Sequence, residues 1–379
     1  MHRVVILGAG FAGLELATRL SEQVADEVRV TLIDANDSFV FGYSKLDVMF
    51  GRDTPEAVRL YYRHIHRPSV EFRQAFIESI DPHAKRVITS DGAYDADILV
   101  VALGADVRPD ETPGMLDGGA EFYSVGGAEQ LGETLPTFPG GKVLISVLGP
   151  FFKCPAAPYE SAMMLHSYLD QRGVLDKSSI TVLTTLPMPI PISPEASAGI
   201  IAGLDQRGIA FRASTKVVRI HPATNTAILA DGSTVDYDLF LGIPIHRAPK
   251  VVVDSGLTED DGWIAVDHTT FATKFPGVYA AGDITSAPVP RVGVIAEGEA
   301  GTVAAGIIHQ IKGGAPPEPY SGAAQCYIEF GGAEVARFNV NFLSGPEPYG
   351  IFEEPTEELA ASKQEFGRVR RKRWFGIDS

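Results

Sequence analysis

Residues 3–34 read RVVILGAGFAGLELATRLSEQVADEVRVTLID. The apolar run 3–8 reads as a short buried strand, FAGLELATRLSEQV as a helix, and Val28 to Asp34 as a second strand, which completes a compact βαβ unit. Gly8, Gly10 and Gly13 stand between the first strand and the helix in the spacing of a dinucleotide turn. The first glycine permits the tight turn, the second lets backbone approach a pyrophosphate, and the third lets the helix pack on the sheet. Asp34 ends the second strand, 21 residues beyond Gly13, where its carboxylate can accept a hydrogen bond from a ribose 2′-hydroxyl. With strand, helix and acid all in place, the expectation is nucleotide binding.

Working outward, further strands are expected at 87–89, with a turn at Asp91-Gly92, and at 97–103. After Gly104 the segment RPDETPGMLDGG is rich in Pro and Gly and reads as a crossing between domains. A second alternating region starts at Lys142 with KVLISVLGP, continues through a helix from Tyr159 to Gln171, and reaches the strand SITVLTTL. From about Thr270, FATKFPGVYAAGDI returns to the pattern of the first domain. The expected class is therefore α/β, with two Rossmann-like domains, the second inserted into the first, plus a C-terminal α+β segment. The boundaries fall at 1–105 with 265–320, at 106–264, and at 321–379.

Composition narrows the function. The formal charge of −16 repels a phosphate backbone and argues against nucleic acid. No apolar run approaches the roughly eighteen residues of a membrane span. Met1-His2-Arg3 leads straight into the first strand without a secretory signal, so the expected location is cytoplasmic, with any membrane contact peripheral on the inner face. Cys154 and Cys326 are the only cysteines, too few for a disulfide scaffold, so a bridge between them would be redox-active rather than structural. No metal site is expected.

Two distant segments resemble the additional signatures of the glutathione-reductase-like flavoproteins. They are VVALGA (100–105), which contains Gly104, and Thr270 to Asp283, ending YAAGD. The resemblance implies FAD, with Asp283 of the Gly282-Asp283 pair holding the ribityl chain. A helix expected after Val292-Gly293 would point its N-terminus at the N1/O2 edge of the isoalloxazine. Relatives that oxidise NADH carry a second glycine fingerprint. Here that stretch reads VLISVLGPFFKCPAAPYESA, with one glycine at 149 and two Phe residues, and the next strand ends without an acid or arginine for a ribose. Nicotinamide use is therefore not expected.

Lys153 to Glu160 (KCPAAPYE) resembles the first active-site cysteine motif of sulfide:quinone oxidoreductases and of the flavin subunit of flavocytochrome c sulfide dehydrogenases, and Cys326-Tyr327 resembles the second. The resemblance extends through FVFGYSKLDVMFGR (39–52) and the basic RRKRWFG near the C-terminus. It implies oxidation of sulfide to polysulfide or zero-valent sulfur, with electrons leaving through non-covalent FAD to a quinone. Cytochrome c as acceptor, a type II NADH dehydrogenase and a flavin redox sensor are the alternatives. A disulfide beside a flavin accepts attack by sulfide, giving a persulfide on one sulfur and a thiolate on the other. Lys153 is expected to favour the Cys154 thiolate, and Glu160 to act as acid/base or to open the helix after Pro158. The histidine that some members of that family carry after the second strand of the inserted domain is missing from MPIPIS (188–193). His64, His66 and His166 are the substitutes on offer, with surface or packing roles as their plainer reading. Residues 356–376 set Leu359, Phe366, Val369 and Trp374 on one loose helical face beside Arg368, Arg370, Arg371, Lys372 and Arg373. That pattern suits a membrane surface, a docking helix or a homodimer contact.

Overall fold

The computed structural model describes residues 1–378. Five parallel strands form the first sheet, in the order 278–280, 98–101, 2–7, 28–34, 70–74. His2–Leu7 is central, and its last four residues are all buried, because a parallel sheet is covered on both faces. Helix Phe11–Val24 lies over this sheet beside helix Gly293–Lys312, and Ala12, Ala17, Ala296, Ala300 and Ala304 meet in one core between them. Small side chains on both helices allow that close approach.

A second parallel sheet runs in the order 210–212, 179–183, 142–147, 239–243. Its strands lie in the chain between the fourth and last strands of the first sheet in sequence order. The crossing expected after Gly104 is an antiparallel ribbon, Asp106–Arg108 against Ile245–Arg247. The hairpin at Asp91-Gly92 forms as expected, joining Arg86–Thr89 to Gly92–Asp95.

The C-terminal segment is a three-stranded antiparallel sheet, Ala323–Glu329, Val335–Asn341 and Tyr349–Thr356, followed by helix Glu357–Phe375. Thr356 caps the helix through its hydroxyl, which accepts from the Leu359 N–H. Ile328, Phe330 and Phe338 join the core formed by Ile145, Val182 and Ile243, so this sheet closes over the inserted unit. Among the described residues no helix is long and apolar enough to cross a membrane.

Candidate functional site

The glycine turn is built as its spacing requires. Gly8 has φ +98°, and a side chain there would collide with the Ala102 carbonyl; one on Gly13 would collide with the Gly8 carbonyl. Beside Gly10 there is open space, and no side chain caps the helix that starts at Phe11. The free N–H groups of that helix end therefore face a position where an anion can sit. Asp34 accepts from the Ala9 N–H at 2.8 Å and from the Asn36 N–H and side-chain amide, both at 2.9 Å. It braces the turn at the strand end and keeps lone pairs for a ribose hydroxyl.

From Gly10 a cavity of about 370 Å³ opens along the first sheet. Gly104, Gly282, Asp283, Val292 and Gly293 line its near part. The helix Gly293–Lys312 opens there with no side-chain cap, so its first N–H groups and its dipole are available to a ligand. Burial raises the Asp283 carboxyl, against the pull of Lys153, Arg291 and Lys45. An uncapped helix end, an acid among cations and a bare glycine turn fit a flavin dinucleotide laid from Gly10 to Gly293. Gly8, Gly13 and Asp34 stand behind this wall as its support.

Cys154, Cys326 and Glu160 line the same cavity. Cys154 sits in the loop between strand Lys142–Val147 and helix Ala157–Gln171, with φ +52°, and its N–H donates to the Arg291 carbonyl at 2.7 Å. A left-handed conformation costs a non-glycine residue about 1–3 kcal/mol, so the loop is held there by its surroundings. Cys326 comes from strand Ala323–Glu329, opposite Phe338. Both are free thiols. Burial pushes each up to about 12, with Glu160 the next contributor for both. The expected thiolate at Cys154 is therefore corrected: the Lys153 ammonium donates to the Ala105 carbonyl at 2.9 Å, and burial decides the thiol.

Glu160 lies in the first turn of helix Ala157–Gln171 and also faces the cavity, so both of its sequence readings hold as placements. Its Oε1 accepts from the Glu329 N–H at 2.8 Å and lies 3.8 Å from the Lys363 ammonium. Burial raises its carboxyl above the ordinary range, opposed first by Lys363. Lys363 also hydrogen-bonds Glu329 and sits 5.0 Å from the Tyr43 ring centroid. With Tyr43 and Phe366 it forms the end of the cavity nearest the C-terminal helix.

Three groups were not found by reading the sequence. Lys363 stands on the Leu359 and Phe366 face of its helix, so a charge on an apolar stripe was the available signal. Lys45 is a lone cation within FVFGYSKLDVMF; it donates to the Tyr123 carbonyl at 2.6 Å, and burial lowers it to about 8. His246, in the crossing ribbon, is buried, and its Nδ1 hydrogen-bonds the Pro244 carbonyl at 2.8 Å while Nε2 has no partner among the described residues. His64, His66 and His166 are absent from the cavity wall.

The C-terminal helix is docked on the body. Trp374 is 1% exposed, and its indole N–H donates to Glu15 at 2.9 Å. Arg373 pairs with Glu15 and Glu22, and Arg370 with Glu297. Of the sequence expectations for this segment, the basic and aromatic end therefore follows the docking one, since its partners are protein carboxylates.

Residues 2–138 and 159–304 match the family model described as pyridine nucleotide-disulphide oxidoreductase. Mitochondrial sulfide:quinone oxidoreductase of Mus musculus is 22% identical over 375 residues, 94% of this chain and 82% of that protein. A type II NADH:quinone oxidoreductase of Staphylococcus saprophyticus is 29% identical over 230 residues, 57% of each chain. Among solved structures, the sulfide:quinone oxidoreductase of Aquifex aeolicus superposes with a TM-score of 0.87 at 22% identity, covering 98% of this chain and 92% of that one. That match has the same two-dinucleotide-fold architecture, and the family match takes in strands of both parallel sheets: the chain belongs to the pyridine nucleotide-disulphide oxidoreductase family.

Proposed function

We propose that this protein is an FAD-dependent oxidoreductase that converts sulfide to polysulfide or zero-valent sulfur and delivers the electrons to a quinone. One observation carries the reading. Cys154 and Cys326, far apart in the chain, line one cavity that begins at the nucleotide turn and also holds Glu160. The named likeness to sulfide:quinone oxidoreductases supports it.

In the oxidised enzyme the two cysteines are bridged. Hydrosulfide attacks one sulfur, the disulfide bond breaks, and a new sulfur–sulfur bond forms; the displaced cysteine leaves as thiolate. The incoming sulfur's proton passes to Glu160, whose raised carboxyl suits it to hold a proton near neutrality. Bound FAD supplies the two-electron acceptor between sulfur and quinone. Beside Glu160, Lys363 presents an ammonium toward a space walled by Tyr43 and Phe366, where a quinone ring can stack and a quinone oxygen can accept. Overall, HS⁻ + Q + H⁺ gives S⁰ + QH₂.

A lipid-soluble acceptor would bring the protein to the inner face of the cell membrane. With Trp374 docked, the exposed apolar side chains of the C-terminal segment are Tyr349, Ile351 and Val369, and these are the proposed contact. NADH oxidation is the second reading, favoured by the match to type II NADH:quinone oxidoreductases. The loop at Phe151 to Cys154 opposes it. Steady-state sulfide consumption with a short-chain quinone is the test. Turnover dependent on both substrates is expected, and turnover with NADH but not sulfide would transfer the protein to the second reading.

A further inference from the structure

The overall reaction proposed above takes one proton from solvent for each quinone reduced, because hydrosulfide supplies only one of the two in QH₂. Lys363, the group that meets the quinone oxygen, is buried, so that proton needs a route to it. Behind Lys363 runs a chain of charged groups that the sulfur chemistry does not use. Lys363 hydrogen-bonds Glu329, and Glu329 Oε2 accepts from Arg52 Nη1 at 2.5 Å. The same Nη1 lies 3.6 Å from Asp47 Oδ1. Lys363 and Glu329 have side-chain exposures of 11% and 10%, whereas Arg52 and Asp47, at 39% and 26%, reach solvent. The groups come from three elements: helix Ser44–Met49 with the turn after it, strand Ala323–Glu329 and helix Glu357–Phe375.

We propose that Asp47 is the proton inlet of the quinone end, passing solvent protons to Glu329 and Lys363, with Arg52 as the positioning residue that holds the two carboxylates together. This rests on the sulfide:quinone reading. Arg52 stays charged and relays nothing itself, whereas a carboxylate can take and release a proton. Asp47 and Glu329 share one guanidinium nitrogen, so a single water can bridge them. Asp47 is half-buried beside the path and faces Lys363 and Arg52 as cations and Glu329 and Asp53 as anions; burial raises its carboxyl above the ordinary aspartate range. Glu160 terminates the chain on the sulfur side, so the proton released by hydrosulfide and the one drawn from solvent converge on Lys363.

Asp47→Asn keeps the size and removes the proton carrier. In the holoenzyme, sulfide should reduce the flavin at the wild-type rate, while reoxidation by a short-chain ubiquinone at pH 8 should slow by roughly tenfold or more. Reoxidation by ferricyanide, which takes electrons and no proton, should be unchanged. Asp47→Ala should behave likewise and regain quinone reoxidation on addition of imidazole as a diffusible acid. Wild-type quinone rates in both variants would overturn the inlet alone. Equal slowing with quinone and ferricyanide, without rescue by imidazole, would reduce Asp47 to a structural role. Failure of the wild type itself to pass electrons from sulfide to quinone would remove the reading on which the inlet rests.

Discussion

The loop after Leu7 and the loop after Val147 occupy matching places, each leaving a central strand of a parallel sheet and entering a helix. Their chemistry is opposite. In the first, glycines bring bare backbone to an uncapped helix end, and nothing occupies the space beside Gly10. In the second, Phe152 is buried, and the Cys154 N–H is spent on Arg291. Pro158 removes a donor from the first turn of the helix, and Glu160 puts a carboxylate where a pyrophosphate would have to sit. One scaffold thus appears twice in the chain, with an anion site in its first copy and a cysteine with an acid in its second.

The comparison breaks most completely if Gly10 is dispensable. Gly10→Val should fill the open space and leave a folded or partly folded protein without FAD, whereas acid precipitation of the wild type should leave all its FAD in the supernatant. Full flavin occupancy in the variant, or flavin retained by the wild-type pellet, would show the first loop misread. Next in size, Cys154→Ser and Cys326→Ser should each slow sulfide-driven flavin bleaching by orders of magnitude at unchanged FAD content, and the double variant should be no worse than either single one. Additive losses would mean that the two thiols act separately.

A smaller effect sharpens the same contrast from outside the loops. Glu15, on the helix that follows the first loop, is buried and holds Arg373 and Trp374 of the C-terminal helix. Burial pushes its carboxyl up, but Arg373, Trp374 and Arg19 together hold it below the ordinary glutamate range. A depressed carboxyl adds stability above its unfolded value, and that stability is lost as pH falls through the folded one. Glu15→Gln should cost about 2 kcal/mol in denaturant unfolding at pH 7, with the gap to wild type narrowing in acid. A gap that persists unchanged at low pH would place the contribution in packing alone.

The first loop was legible in the sequence because each of its glycines answers a local need of the chain, and Asp34 follows at a fixed distance along one βαβ unit. The second was legible only in part. Its missing fingerprint could be read directly, but nothing in the spacing of Cys154 and Cys326 places them in one cavity; resemblance alone pointed there. Lys363 and Lys45 escaped notice because a charge withdrawn from water is justified by partners that folding supplies from elsewhere, Glu329 and the Tyr123 carbonyl, and His246 because only the fold buries it. The C-terminal helix left its alternatives open for the same reason. Its cations and aromatics suit a membrane until Glu15, Glu22 and Glu297 arrive from distant segments to bind them.

The central claim is that electrons enter the flavin from sulfur at the second loop and not from a nicotinamide. Anaerobic stopped-flow mixing of the purified holoenzyme with sulfide and, separately, with NADH tests it most directly. Rapid bleaching of the flavin absorbance by sulfide, with no comparable reduction by NADH, is the predicted result. Rapid bleaching by NADH, with sulfide inert, would contradict the account and make the second loop a nucleotide site after all.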